Sequence, residues 1–374
     1  MKKFVNALLV ISLAFIMIAC GNANTTTNDE NNSGGNQNGN TNGYTSLPDW
    51  ITKLPVGTTD GTAGTNAEYV LFGEWPQTIK AGSVTVDTEE SKTVGMFTYY
   101  KGDDGEWYCQ ILEHSYGSVT FLEYSDGTTI SPHSAMSYKW FKVEPIKWRV
   151  ITKNYKGKIL LLAENGLIGS YSYQFCYDMG NCYTREIDGK TVDINNYKYS
   201  TVRACLNGLS YEANESGHNQ VTMTEYDGKG FLQTAFTLEE QQRIVTMQVD
   251  NGVEKDDPKY EVTSDKLFCL EVKDVLNSDY GFSENGSGLV VGVPRPQECE
   301  TRLRKPVDFV LASGPYSGHG ESIITGSSSW YLRTSEEQEG FPYIYRVDWN
   351  GNVCTVLANQ RGGTIVPALC IDGE

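Results

Sequence analysis

The sequence predicts an α+β fold made of short antiparallel strands, hairpins and a few short helices. Short apolar segments are separated by brief turn sequences such as 154–157 and Asn350-Gly351, which is typical of hairpins. Helix-capping residues, Ser200 and Thr237, lie between these segments. A regular alternation of strands with long helices, as in a βαβ sheet, is not found, so the α+β class is favoured.

The first half of this region contains three predicted strands. Residues 69–73 form a short apolar segment that Trp75-Pro76 is expected to end. Residues 146–152 alternate between apolar and polar, and 158–163 form an apolar run typical of a central strand. The turn sequence 154–157 lies between the last two, so the sequence predicts a hairpin there.

Two short helices are predicted from their capping residues. Ser200 is placed to cap a helix over 201–207, and Gly208 is placed to end it in a left-handed conformation. Thr237 and Glu240 have the spacing of a capping box, in which each side chain accepts a hydrogen bond from the backbone of the other.

The C-terminal part contains a further strand and the clearest hairpin signal. Residues 266–271 are predicted to form a buried strand. Residues 343–348 and 352–357 are predicted to pair, because Asn350-Gly351 is the dipeptide that favours the two positive φ angles of a type I′ turn.

The N-terminus has the pattern of an export signal. Lys2 and Lys3 precede an apolar run over 4–19, and Cys20 follows directly. This pattern resembles the lipobox of bacterial lipoproteins, which implies a signal peptide over 1–19 and acylation of Cys20. The alternative is an ordinary secretory signal with an incidental cysteine. A multiply acylated cysteine would anchor the chain stably to a membrane.

A polar segment separates this signal from the folded region. Nineteen of the 26 residues over 21–46 are Asn, Gly or Thr, so they offer almost no apolar surface to offset the entropic cost of ordering. We therefore expect a disordered tether over 20–64 and one large domain over 65–374.

The charge of the chain restricts its partners. The full chain has a net charge of −17, and removal of Lys2 and Lys3 leaves 28 basic against 47 acidic residues, or −19. Such acidity argues against nucleic acid as a partner and against binding to anionic lipid headgroups. The expected contact with a membrane is therefore the N-terminal lipid, in the cell envelope, at the outer membrane or cell surface.

Eight cysteines remain after Cys20, an even number that permits disulfides in an exported chain. Only Cys176 and Cys182 are close enough in sequence to form an obvious local pair, and buried free thiols are the alternative. The cysteines and histidines lack zinc-binding spacing. Asp348 begins a calcium-loop pattern that fails at Val353, where Gly is required, so neither a metal nor a cofactor is predicted.

The folded region resembles the bacterial domain family DUF6273. The resemblance is carried, in order, by 72–77, 144–150, 160–164, 201–207, 235–236 with Glu239 and Ile244, 266–270, 330–333 and 366–369. It implies a C-type-lectin-like domain of the kind found in formylglycine-generating enzymes and variable surface receptors. The segment 78–142 is longer than the family's connection and is interpreted as an inserted subdomain with its own strands.

The C-terminal segments contain the candidate ligand-binding residues. Aromatic, Arg and Asn side chains together are typical of recognition surfaces. The alternative is that the aromatics belong to the core and that Arg333 is a structural ion-pair partner. Pleating should place Tyr343, Tyr345 and Val347 on one face and Ile344, Arg346 and Asp348 on the other. The candidates are Trp330, Tyr331, Arg333, Tyr343, Tyr345, Arg346, Asp348, Asn352, Asn359 and Arg361.

The leading hypothesis from the sequence is a non-catalytic, lipid-anchored surface module that binds an extracellular glycan or protein. One competitor is an extracytoplasmic enzyme on a formylglycine-generating-enzyme-like fold that uses a pair of cysteines or carboxylates. The other is a structural envelope lipoprotein. The motif around the cysteines of formylglycine-generating enzymes is missing at Cys354 and Cys370, so that activity is not carried over.

Overall fold

The structure is a computed structural model that describes residues 46–55, 67–113, 122–130, 137–171, 173, 183–187, 189–210, 226–250, 261–282, 301–314, 326–338, 340–360 and 363–374. Cys20, the predicted signal peptide and most of the predicted tether lie outside these residues, as do Cys176, Cys182 and Arg361. Within the described parts, no helix is both long and apolar enough to cross a membrane.

The described elements are mostly short strands. The strands are β1 (Thr52–Lys53), β2 (Tyr69–Ile79), β3 (Val86–Val94), β4 (Phe97–Gly102), β5 (Trp107–Leu112), β6 (Leu122–Glu123), β7 (Thr129–Ile130), β8 (Tyr138–Tyr155), β9 (Lys158–Ala163), β10 (Ile168–Tyr171), β11 (Thr184–Ile187), β12 (Lys190–Asp193), β13 (Ile244–Val245), β14 (Met247–Val249), β15 (Thr263–Asp265), β16 (Leu267–Phe268), β17 (Trp330–Gln338), β18 (Phe341–Val347), β19 (Val353–Leu357), β20 (Gly363–Ile365) and β21 (Ala368–Ile371). The helices are α1 (Thr201–Asn207), α2 (Phe231–Ala235), α3 (Leu238–Arg243), α4 (Val272–Val275) and α5 (Asp308–Ala312), with 3-10 turns at Tyr197–Tyr199 and Ser278–Tyr280.

Ten strands form the main sheet, and the 18-residue strand β8 pairs with three of the others. The first part of β8 pairs with β5, its middle with β2 and its last part with β9, all antiparallel. Strands β3, β4 and β5 belong to the predicted insertion over 78–142, and β8 joins them to the main sheet.

Five strands form the C-terminal sheet in the order β10-β20-β17-β18-β19. Its pairs are antiparallel except for one parallel contact, between Trp330 of β17 and Thr364 of β20. The structure is therefore mostly antiparallel sheet with a few short helices, which agrees with the predicted class at that level.

The core contains three fully buried tryptophans, and each of their indole N–H groups donates a hydrogen bond. Trp75 donates to the Leu167 carbonyl and Trp148 to the Phe72 carbonyl, both at 2.7 Å. Beside them, Arg149 donates two hydrogen bonds to Glu164, at 2.9 and 2.6 Å, and both residues are buried. Because a bidentate pair satisfies both charges, this ion pair is tolerated inside the sheet.

Several predicted elements are confirmed. Strands β8 and β9 form the predicted hairpin, with positive φ angles at Lys156 (50°) and Gly157 (76°) in its turn. Ser200 caps α1, and Gly208 ends this helix with a φ angle of 66°. Thr237 and Glu240 form the capping box of α3.

Two predicted strand boundaries are wrong. Strand β2 does not end at Trp75-Pro76 but continues to Ile79, with shifts of register on either side of these residues. Pro76 lies in the part of β2 that pairs with β8 alone, and such an edge segment is where a strand tolerates proline. The predicted strand over 266–271 is reduced to β16, because Glu271 instead caps α4.

Candidate functional site

Three of the predicted ligand-binding residues on β17 are interior. Trp330, Tyr331 and Arg333 are 0%, 1% and 0% exposed. The Trp330 indole donates to the Arg302 carbonyl at 3.0 Å. The Tyr331 hydroxyl donates to the Gln360 carbonyl at 3.1 Å and accepts from the Gly363 N–H at 3.0 Å. Trp330 and Tyr331 are therefore core residues that hold the C-terminal sheet together.

Arg333 connects the C-terminal sheet to the N-terminal end of α4. Its guanidinium forms ion pairs with Glu271 at 3.0 Å and with Asp274 at 3.4 Å, and it donates to the Cys269 carbonyl at 2.8 Å. This arrangement is the structural ion pair that the sequence left open as an alternative. Burial raises the pKa of Glu271, while the charge of Arg333 opposes that rise.

Asp348 and Asn352 build the turn between β18 and β19. The Asp348 carboxylate accepts the backbone N–H groups of Asn350 and Asn352 at 2.8 and 2.9 Å. The predicted type I′ turn is wrong: Gly351 has a positive φ angle of 85°, but Asn350 does not. The turn is instead an Asx-type turn, in which the Asp348 side chain accepts hydrogen bonds from the backbone N–H groups that follow it.

The paired register settles which face of β18 each residue occupies. Tyr343 lies opposite Leu357 and Tyr345 opposite Thr355, whereas Arg346 lies between Cys354 of β19 and Tyr331 of β17. Since directly paired residues share a face, the predicted division between the two tyrosines and Arg346 is confirmed. Tyr343, Tyr345 and Arg346 are half-buried, while Asn359 is only 2% exposed.

The Arg346 face contains two buried polar atoms without a hydrogen-bond partner. The Nε atom of Arg346 and the Oγ atom of Ser335 are both shielded from water and unpaired. Ser335 lies opposite Ile344, two residues before Arg346, so the two side chains are diagonal neighbours with Cβ atoms about 7 Å apart. We call this pair of side chains, together with the Tyr331 hydroxyl beside them, the Arg346 niche.

The backbone around the niche is irregular. Three residues of β17, between Tyr331 and Ser335, lie opposite one residue of β18, which is a bulge. Just beyond the bulge, the side chain of Asn195 donates to the Glu336 and Tyr343 carbonyls at 3.0 and 3.2 Å. Bulges re-aim side chains and are treated as built features of a sheet. Here the bulge places Ser335 opposite Ile344, next to Arg346, whereas a regular register would place it opposite Pro342.

The electrostatics of the niche show that the positive charge of Arg346 acts on Tyr331. Burial raises the pKa of the Tyr331 hydroxyl to about 12, and the Gly363 N–H and the charge of Arg346 oppose that rise. Arg346 forms no ion pair within the described residues of this acidic chain. Arg149, Arg203 and Arg333 each have a carboxylate partner. The niche therefore contains the guanidinium of Arg346, which has no ion-pair partner among the described residues, and the hydroxyl of Ser335, which has no hydrogen-bond partner there.

Elsewhere in the described interior, the hydroxyls of Tyr99 and Tyr197 are also buried without a hydrogen-bond partner. One pocket of about 360 Å³ is lined by apolar and aromatic residues such as Trp75, Phe97 and Phe309, with Cys205 as its one titratable lining residue. Burial raises the pKa of the Cys205 thiol to about 12. In the residues that the structure describes, no three His, Cys, Asp or Glu side chains are placed to hold a metal ion.

No family model, curated protein or solved structure matches this chain. Ser335 was missed at the sequence level, since a serine in a strand is ordinary. Its position diagonal to Arg346 depends on the bulge between Tyr331 and Ser335, for which the sequence has no clear signal.

Proposed function

We propose that this protein is a lipid-anchored, surface-exposed binding module without catalytic activity. Its ligand is an extracellular glycan or protein that presents an acidic group to the Arg346 niche. The observation that carries this proposal is the unpaired guanidinium of Arg346 beside the unpaired hydroxyl of Ser335. We also propose that the chain is a member of the DUF6273 family and has the C-type-lectin-like fold that this resemblance implies.

The physical reason is the cost of leaving buried donors unpaired. A buried donor without a partner costs about 1–3 kcal/mol, and native proteins retain few such groups. A ligand carboxylate or sulfate would accept from both Arg346 and Ser335, and hydrogen bonds to charged groups are about twice as strong as neutral ones. The net charge of −17 is screened over about 8 Å at physiological salt, so the local contact governs recognition.

The state of the described thiols also supports a binding role. Cys109, Cys205, Cys269 and Cys370 are buried free thiols, and burial raises the pKa of each to about 12. A thiol is nucleophilic only as the thiolate, so these four are poor candidates for the cysteine chemistry of the competing enzyme hypothesis.

Glycan and protein arrays probed with the full-length chain in detergent test the site. We expect retention by probes that bear carboxylate or sulfate groups and a loss of affinity of about 10- to 100-fold in Arg346→Gln, because a charged hydrogen bond is removed. Arg346→Lys should lose less, and Ser335→Ala should lose about threefold to tenfold.

Arg243→Gln is the matched control, since Arg243 is an exposed arginine paired with Glu239 on α3. It should bind as the parent protein does. If Arg346→Gln kept the full affinity for every retained probe while remaining folded, the niche would not be the binding site.

The lipid anchor needs a separate test. Metabolic labelling with a fatty acid should mark the parent chain in the membrane fraction, and Cys20→Ser should abolish the label. Recovery of unlabelled parent protein from the cytosol would contradict both the anchor and the surface location.

A further inference from the structure

A second surface lies on the strands of the predicted insertion, and we call it the outer strand face. Strands β3, β4, β5 and β8 pair in this order, so their registers define which side chains share a face. Ser91, Tyr100, Tyr108 and Lys142 form one row, Thr93, Thr98, Gln110 and Trp140 the next, and Leu112 and Tyr138 the last.

The opposite side of the same strands faces the protein core. Tyr99, Cys109 and Phe141 occupy that side and are 3%, 1% and 0% exposed. The outer strand face is more open: Tyr138 is 65% exposed and Leu112 is 41% exposed, and Gln110 and Thr98 are also exposed. Tyr108 is the exception, since it is buried and its hydroxyl donates to Asp104 at 2.6 Å. A sheet with one face in the core would normally carry charged and small polar residues on the other, so exposed aromatics there need an explanation.

Two of the aromatic rings form a fixed pair. Tyr100 of β4 and Trp140 of β8 reach across β5 and meet edge to face, with ring centroids 5.3 Å apart and planes at 87°. Both are half-buried, so the pair is ordered while part of each ring remains accessible. Rigid aromatics of this kind offer a large contact area at a low entropic cost.

The charge of the outer strand face identifies the chemistry of its partner. None of these ten positions is acidic, but Glu106 and Glu144 lie two residues beyond Tyr108 and Lys142 on the same side, and their charges act on Tyr108. Carboxylates therefore border the outer strand face and would repel an anionic partner. The one cation of this face, Lys142, lies 3.5 Å from Glu106 and is therefore neutralised by the chain itself. Nucleic acid would require several unpaired cations, which this face lacks. What remains is aromatic rings interspersed with neutral hydroxyl and amide groups.

We propose that the outer strand face binds a neutral polysaccharide. A sugar ring has an apolar C–H side, which would lie on Tyr138, Trp140 and Tyr100, and peripheral hydroxyls, which would bond Gln110 and Thr98. An amphipathic partner of this kind matches a surface with one apolar and one polar component. This surface is separate from the Arg346 niche, which lies on the C-terminal sheet and is assigned to acidic groups, and the proposal does not depend on that niche.

Affinity electrophoresis and pull-down with neutral polysaccharides test the proposal, using the full-length chain in detergent. The probes are cellulose, xylan, mannan and chitin, with alginate as an anionic polysaccharide and phosphatidylcholine vesicles as a lipid surface. We expect retention by at least one neutral polysaccharide and a loss of affinity of about tenfold or more in Trp140→Ala.

The double variant Tyr138→Ala, Gln110→Ala is a second test that should remain folded, because both side chains are exposed and lie outside the core. This double variant should also lose about tenfold in affinity. Trp50→Ala, which changes a partly exposed tryptophan away from this face, should bind as the parent does. Arg346→Gln should also retain polysaccharide binding, so failure of the niche and failure of this face are distinguishable.

Three outcomes would overturn the proposal. The first is that no neutral polysaccharide retains the parent chain. The second is that Trp140→Ala and the Tyr138–Gln110 double variant are retained as well as the parent. The third is that the chain binds vesicles or alginate through these residues and does not bind neutral sugar chains.

Discussion

Arg333 and Glu271 form an ion pair at 3.0 Å with almost no access to water, the two side chains being 1% and 3% exposed. The arginine belongs to β17 of the C-terminal sheet and the glutamate caps α4 after the main-sheet strand β16. This contact therefore ties the two sheets together through their charged groups.

Replacing Arg333 by Met should destabilise the protein by about 3–5 kcal/mol at neutral pH, because Glu271 and Asp274 would be left as buried charges without a cation. Urea unfolding measures this free energy. Arg243→Met is the matched control, since that exposed arginine should contribute no more than about 0.5 kcal/mol.

The same variant should be less destabilised in mild acid. Burial raises the pKa of Glu271 above its ordinary 4.5, so the folded state binds the proton more tightly than the unfolded chain. A carboxyl of this kind contributes stability below its unfolded pKa, and that contribution is lost as pH rises through the folded pKa. Loss of Arg333 enlarges the shift. Unfolding of Arg333→Met at about pH 5 and pH 7 should therefore show the larger deficit at pH 7, and an equal deficit would contradict this account.

Arg346 should behave in the opposite way. The Nε atom of Arg346 has no hydrogen-bond partner among the described residues. Arg346→Met therefore removes an unpaired donor, and no buried carboxylate loses its cation as a result. We expect a change in the free energy of unfolding within about 0.5 kcal/mol, or a gain. A loss comparable to that of Arg333→Met would show that Arg346 is a structural residue.

The contrast between Arg333 and Arg346 shows which contacts can be predicted from the sequence and which cannot. Both lie in C-terminal strands one or two residues after a tyrosine, and the local sequence does not distinguish them. Their difference lies in Glu271 and Asp274, which are about sixty residues from Arg333 in the chain. Helix caps and the β8–β9 hairpin were predictable because their partners are a few residues apart. The bulge of β17 depends on the exact register between β17 and β18, and the outer strand face depends on the pairing of β5 with the more distant β8. Periodicity determines neither.

The turn after β18 should depend on one oxygen of Asp348. Asp348→Ala removes the acceptor for the N–H groups of Asn350 and Asn352, so a loss of about 1–3 kcal/mol is expected. Asp348→Asn keeps one carbonyl oxygen in the same place and should lose less than about 1 kcal/mol. Thermal unfolding of the two variants separates them, and equal losses would mean that the carboxylate charge, not its geometry, stabilises the turn.

Gly363 should tolerate no side chain, because a Cβ atom there would lie 2.3 Å from the Tyr331 ring. That ring is held in place by hydrogen bonds to Gln360 and Gly363, so Gly363→Ala should cost about 1–3 kcal/mol by overpacking. Gly82→Ala is the control, since no atom lies within 4 Å of its Cβ position. Adding Tyr331→Leu should reduce the cost of Gly363→Ala, and strictly additive effects would contradict the clash.

The four buried thiols should resist alkylation in the folded protein. Burial raises the pKa values of Cys109, Cys205, Cys269 and Cys370 to about 12, so at about pH 8 the thiolate fraction is roughly 1000-fold lower than for an ordinary cysteine. A brief iodoacetamide pulse, followed by peptide mass spectrometry, should leave these four sites unlabelled, whereas the same pulse in denaturing urea should label all of them. Rapid labelling of Cys205 and Cys269 in the folded chain would reveal accessible thiolates. In that case, thiol chemistry would again compete with ligand binding as the role of the protein.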